Sequence, residues 1–194
     1  MSSYYYFVAT LPSLQATASA PPIAYGEFLD RASRFLSAKD DATLRGARLF
    51  IPEDGSFPTA VDSSPLLSRY YRWELSLRNE LARLRAGRLQ KPADRHVKPG
   101  EPEWDGVKTA QAAFQGDDPL QGELLLERER WAFVESLSVN KFFDIENLVA
   151  YALLLQVLER RARFTVERGQ EGYRTVYASI LETADYRDES GEKA

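Results

Sequence analysis

The chain has 194 residues, of which 44% are apolar, a net charge of -4 and no cysteine. That length fits one domain, or one core with a small satellite, and the apolar share suffices for a sizeable core. The absence of thiols excludes disulfides and thiolate metal sites, and the mild acidity argues against bulk nucleic-acid binding, which leaves a basic excess.

The start, MSSYYYFVATL, lacks the basic head and cleavable apolar stretch of a secretory leader. No apolar run approaches the roughly 20 residues needed to cross a bilayer. A cytoplasmic chain is therefore expected. Arginine greatly outnumbers lysine among the 25 basic residues; this either equips the surface for planar pairing with carboxylates or reflects GC-rich coding.

Tyr4–Leu11 is aromatic and apolar, and reads as a short strand or an extended arm docked on the core. Pro12 ends it, and a Ser/Ala/Pro linker follows to Pro22. A first helix is predicted over Tyr25–Leu36, with Tyr25, Phe28, Leu29, Ala32, Phe35 and Leu36 at helical spacing. Ser37, three residues before Asp40, reads as the cap of a second, short helix to Arg48. Phe50–Ser63 contains Pro52, Gly55 and Pro58 and reads as a loop. Ser64-Pro65 pairs a capping hydroxyl with a proline at the first helical position, opening a helix to Ala86. Its seam of Leu66, Tyr70, Trp73, Leu77, Leu81 and Leu84 faces another helix, or a second copy of the chain, while Glu74 pairs with Arg78 on the outer side.

Gln90–Glu103, rich in proline, glycine and charge, is expected to be a mobile loop. Trp104–Phe114 reads as a short helix broken by Gly116-Asp117-Asp118-Pro119. Leu120–Leu137 is helical again, with Leu120, Leu124, Trp131, Val134 and Leu137 inward. Ser138–Arg163 holds the most telling stretch: apolar residues on nearly every side, so other helices must wrap it. Asp144 is its cap, Phe142 and Phe143 pack beside its start, and Gly169 suits its end. Gln156 and Glu159 either mark an exposed stripe or face the core and take Arg128 or Arg130 as partner. A last helix is predicted over Tyr173–Ala184. The expectation is an all-α bundle of six to seven helices around a central buried helix, one domain over 1–186 and a disordered polar tail over 187–194.

Chemistry-bearing motifs are scarce. His96 is the only histidine and sits beside Lys98 in the Pro/Gly-rich loop, so no histidine zinc site can form. Glu127, Glu129, Glu135, Asp144 and Glu146 lack the Glu-x-x-His partners of a di-iron bundle and read as a solvated face with local ion pairs. Phosphate loops and nucleophile motifs are missing. No catalytic, cofactor or metal residues are assigned, and the chain is not expected to be an enzyme. Three groups stand out as candidate partner contacts: Tyr4, Tyr5 and Tyr6; Arg83, Arg85 and Arg88; and Asn140, Lys141, Asp144, Glu146 and Asn147. The first also reads as a patch docked on its own core, and Asp144 is already explained as a cap.

Three segments together carry a resemblance: YYYFVATLPSL (4–14), YYRWELSLRNELARLRA (70–86) and ERERWAFVESLSVNKFFDIENLVAYALLLQVLERR (127–161). They resemble an uncharacterised bacterial domain-of-unknown-function family, family 2764, whose members are encoded in V-type ATPase operons. That family looks like a distant, shortened relative of the C-type (in eukaryotes, d-type) component of V-type ATPases, the helical socket between central stalk and membrane ring. The resemblance implies a non-catalytic coupling component serving proton or sodium transport, with the stalk or ring as partners. It would then be peripheral at the inner membrane through the ATPase. The alternative is a free-standing helical adaptor or homodimer.

Overall fold

Among the described residues, seven α-helices and one 3-10 turn form the main regular structure, 175–177 are also helical, and no strand occurs. The computed structural model describes residues 4–52, 56–57, 59–116, 118–163 and 175–177. In chain order the elements are α1 (Tyr5–Ala9), α2 (Tyr25–Ala32), α3 (Ala38–Gly46), the 3-10 turn (Thr59–Ser63), α4 (Pro65–Arg88), α5 (Trp104–Gln115), α6 (Pro119–Ser138) and α7 (Ile145–Arg161). Their starts follow local chemistry. Ser37, Ser64 and Asp144 each accept a hydrogen bond from the backbone N–H three residues on, at 3.2, 3.1 and 3.0 Å. Asp118 caps α6, whose first residue is Pro119. Each such cap stabilises its helix by about 1 kcal/mol.

α7 is the central rod. Leu148, Val149, Ala152, Leu153, Leu155, Val157 and Leu158 are fully buried, against α2, α3, α4 and α6. Side-chain pairs set the helix directions. Glu146 at the start of α7 meets Ser64 and Leu66 at the start of α4; Glu74 of α4 meets Arg130 of α6; Arg160 near the end of α7 meets Glu127 of α6. α4 and α7 therefore run parallel, and α6 runs against both. α5 lies along α4 because Gly106 permits it: a Cβ there would stand 2.8 Å from the Trp73 carbonyl oxygen. The segment between α4 and α5 is tied to α4, since Asn79 exchanges two 2.8 Å hydrogen bonds with the Lys98 backbone and the Ser76 hydroxyl accepts from the Glu103 amide at 2.7 Å.

Several expectations change. Tyr4–Leu11 is not extended: Tyr5–Ala9 is a short helix, because no second strand among the described residues takes its backbone groups and they close locally, as in Val8 N–H to Tyr4 C=O at 2.9 Å. α2 stops at Ala32, leaving Phe35 47% exposed. Leu120 is 51% exposed, and Leu126, Glu127 and Arg130 take inward positions of α6. α7 ends at Arg161 rather than near Gly169. Gln156 and Glu159 are half-buried and serve the backbone instead of Arg128 or Arg130. The Gln156 side chain accepts from Leu49 N–H at 3.0 Å and donates to Ala47 C=O at 2.9 Å; Glu159 accepts from Tyr25 N–H at 2.6 Å. The α4 seam proposed for self-pairing is used internally, with Leu66, Tyr70, Trp73, Leu77 and Leu81 buried. Of the expected Tyr173–Ala184 helix, 175–177 are helical and the rest lie outside the described residues, as does the 187–194 tail.

Candidate functional site

Most of the buried charge lies where α4, α6 and α7 cross. Glu74 and Glu127 are fully buried and Arg130 nearly so. Arg130 grips Glu74 with two hydrogen bonds, 2.9 and 3.1 Å, and Arg78 adds a third at 3.2 Å. Arg160 bridges Glu127 at 3.0 Å and Glu123 at 2.8 Å. The guanidinium carbons of Arg78, Arg130 and Arg160 all lie 5.0–5.2 Å from the centre of the Phe50 ring, whose negative face suits them. Burial works against the Arg130 charge, but Glu74, by charge and hydrogen bond, reverses that and holds the guanidinium above its ordinary range. Burial likewise raises the Glu127 carboxyl, with Arg160 and then Arg161 pulling it back. The neighbouring Tyr70 hydroxyl is raised well above its usual value by burial, then by Glu74. Each carboxylate here has an arginine partner, so the centre clamps three helices together, although the buried Glu127 Oε2, Arg130 Nη1 and Arg161 Nε atoms make no hydrogen bond. Among the described residues, no group of three or more His, Asp and Glu is placed to hold a metal ion.

This centre is invisible as such in the sequence, where Glu74 reads as outside and Glu127 as part of a solvated face. A signal is present all the same. α4 carries Leu66, Leu67, Tyr70, Tyr71, Trp73, Leu75 and Leu77, which cover more than half of the helix circumference, and Glu74 falls within that arc.

The second feature is a face of exposed rings. α1 meets the corner between α6 and α7: the Tyr4 amide donates to the Phe143 carbonyl at 2.8 Å, and the Tyr5 and Phe143 rings stand 4.7 Å apart. Phe142 adjoins Phe143, and on the other side of α1 Tyr6 adjoins Phe35. Tyr6 is 73% and Phe142 63% exposed, with Tyr5, Phe35, Phe143 and Val139 also bare. The fold thus brings together two candidate groups that stand far apart in sequence, Tyr5–Tyr6 and the 140–147 corner. Phe35, expected on the apolar stripe of the first helix, and Phe142 and Phe143, expected beside the start of α7, belong to this face. Paired phenylalanines inside the polar run Asn140–Asp144 are the available signal.

Not all the candidates share that exposure. Tyr4 is buried with its hydroxyl on Asp40, and Glu146 is buried because its carboxylate accepts from the Ser64 hydroxyl and the Leu66 amide, each at 3.0 Å. Asn147 donates to the Lys141 carbonyl at 2.9 Å while Asp144 caps α7, so both shape the corner. Asn140 makes the turn with a left-handed backbone, φ 64°, which asparagine tolerates. Arg83, Arg85 and Arg88 are exposed but lie at the far end of α4, about 30 Å from Ser64 at 1.5 Å per residue. They do not join the ring face.

Residues 103–183 match the family model described as Protein of unknown function (DUF2764). The match covers less than half of the chain, takes in α5, α6 and α7, and assigns no activity. No curated protein and no solved structure matches the chain. Among the described residues, no helix is long and apolar enough to cross a membrane.

Proposed function

We propose that this chain is a non-catalytic coupling component of a bacterial V-type ATPase, a C/d-like part that docks on the central stalk or membrane ring through its exposed ring face. One observation carries the reading: the face is built from the first and third of the segments that carry the resemblance, α1 and the α6–α7 corner. Bare rings of this kind, contiguous and rimmed by polar groups such as Asn140 and Lys141, mark surfaces that bind another protein. The ionic centre farther along α6 and α7 supports the same reading, because it ties together the helices that carry the face and a stiff body transmits load. Location at the inner membrane would follow from the ATPase and not from a span of this chain.

The test is affinity purification from solubilised membranes that contain the intact ATPase, with the tagged chain and with the tagged Tyr6→Ala/Phe142→Ala variant. Central-stalk or ring proteins should co-purify with the first and be reduced at least tenfold with the second. Recovery of no ATPase protein, or equal recovery with both, ends the proposal. Light scattering on the pure chain distinguishes the adaptor alternative: a tight dimer that the same two substitutions dissolve would assign the face to self-association.

A further inference from the structure

Arg85 and Arg88 close α4 beside two apolar hollows. The first, about 390 Å3, lies between α4, α5 and α6 and is floored by Leu81, Ala113, Phe114 and Leu126. The second, about 320 Å3, lies against Ala82, Ala86 and Pro92, with Lys91 and His96 at its edge. Arg85 and Leu89 line both, so the hollows form one groove, and Leu89 stands 65% exposed within it.

Most arginines of α4, α6 and α7 have a carboxylate partner, whereas those at this groove, like Arg69 and Arg72 nearer the start of α4, have none among the described residues. Arg78, Arg83, Arg130 and Arg160 each face a glutamate within 3.4 Å. No described carboxylate pairs with Arg85, Arg88 or Lys91, and Glu123, which lines the first hollow, is taken by Arg160 at 2.8 Å. Arg88 rests over the Phe114 ring at 5.9 Å, which holds its guanidinium at the groove edge. In a chain of net charge -4 this is a local excess of cation around an apolar recess.

We propose that this groove binds an acidic amphipathic segment of a partner protein, its apolar side chains seated in the two hollows and its flanking carboxylates paired with Arg85 and Arg88. The hollows sit at the small end of the range for binding pockets, which fits side chains of an incoming helix better than a second folded body. Arginine favours carboxylates through planar, two-point contact. A recess rimmed by cations fits a side chain, whereas a flat anionic bilayer needs a broad basic plane. The groove lies at the opposite end of α4 from the ring face, so this proposal stands or falls independently of the ATPase reading.

The test uses the full chain and two labelled synthetic helical peptides that share their leucines and differ only in carrying Glu or Lys at the flanking positions. Fluorescence anisotropy should show binding of the Glu peptide, weakened about tenfold from low to physiological salt, and little binding of the Lys peptide. Arg85→Glu/Arg88→Glu should weaken the Glu peptide at least tenfold and admit the Lys peptide. Arg69→Glu/Arg72→Glu makes the same charge change at other positions of α4, away from the groove, and should leave binding unaltered. Thermal melts check that each variant is folded, and Arg85→Gln/Arg88→Gln replaces the reversal if it is not. No binding, equal binding of both peptides, or binding indifferent to Arg85 and Arg88 overturns the proposal. Capture of the chain by vesicles of phosphatidylglycerol and phosphatidylcholine through these arginines, without peptide binding, would assign the groove to lipid and also overturn it.

Discussion

The middle of the bundle and the α1 corner reverse the usual arrangement in opposite ways. At the crossing of α4, α6 and α7, charges are inside: Glu74, Glu127 and Arg130 are buried. At the corner, rings are outside: Tyr5, Tyr6, Phe142 and Phe143 face solvent. The first arrangement holds because each buried carboxylate has an arginine and the guanidiniums have the Phe50 ring. Nothing in the described chain does the same for the corner, where the exposed rings lie against one another. A largely closed set of partners marks structure, and an open set marks a surface awaiting one.

Breaking the closed set should have the largest effect. Glu74→Ala leaves Arg130 buried without its carboxylate and should destabilise the fold by about 3–5 kcal/mol in urea titration. Replacing both, as Glu74→Leu/Arg130→Met, should recover most of that loss, because the stability lies in not leaving one ion alone. A single variant as stable as the parent would mean the centre is not closed. The next effect is on alkaline stability. Tyr70 beside the centre is held well above its usual value by burial and then by Glu74, and burial pushes Tyr25 up to about 12. Between pH 10 and about 12 the unfolded chain loses these protons while the folded chain keeps them, so stability is intact below about pH 10 and declines as pH climbs through that window. Tyr70→Phe should flatten the decline, although its lost hydrogen bond to the Leu49 carbonyl lowers stability at every pH. Melting midpoints that stay level from pH 9 to about 12 would contradict the burial of these hydroxyls. The smallest effect belongs to the corner: Tyr6→Ala/Phe142→Ala should change stability by no more than about 0.5 kcal/mol, because the rings are already in water. A large loss there would mean the rings support the fold, and the contrast between the two regions would collapse.

Local signals locate the helices well. Ser37, Ser64 and Asp144 act as caps where their side chains reach the backbone three residues on, and that depends only on neighbours in the chain. The all-apolar stretch around Leu148–Leu158 announces a wrapped helix, and α7 is wrapped. The departures share one cause. Glu74 reads as outside because a glutamate four residues before an arginine is the ordinary pattern of a solvated helix face; its second arginine comes from α6, 56 residues away. Phe142 and Phe143 read as packed beside the start of α7; that they stand bare and meet Tyr5 of α1 depends on where α1 docks. Of the candidate contacts, Tyr5 and Tyr6 are exposed, whereas Glu146 is not, because its partners, Ser64 and Leu66, lie some 80 residues upstream.

The order of residues alone therefore determined an all-helical chain, most of its helix starts and its central rod, because caps, prolines and apolar spacing act within a few residues. Only the tertiary structure decided which charges were paired in the dark, that two distant aromatic segments share one bare face, and that Arg85 and Arg88 rim a groove where no described carboxylate pairs with them. Those properties depend on which helix lies beside which, and on the space left between them.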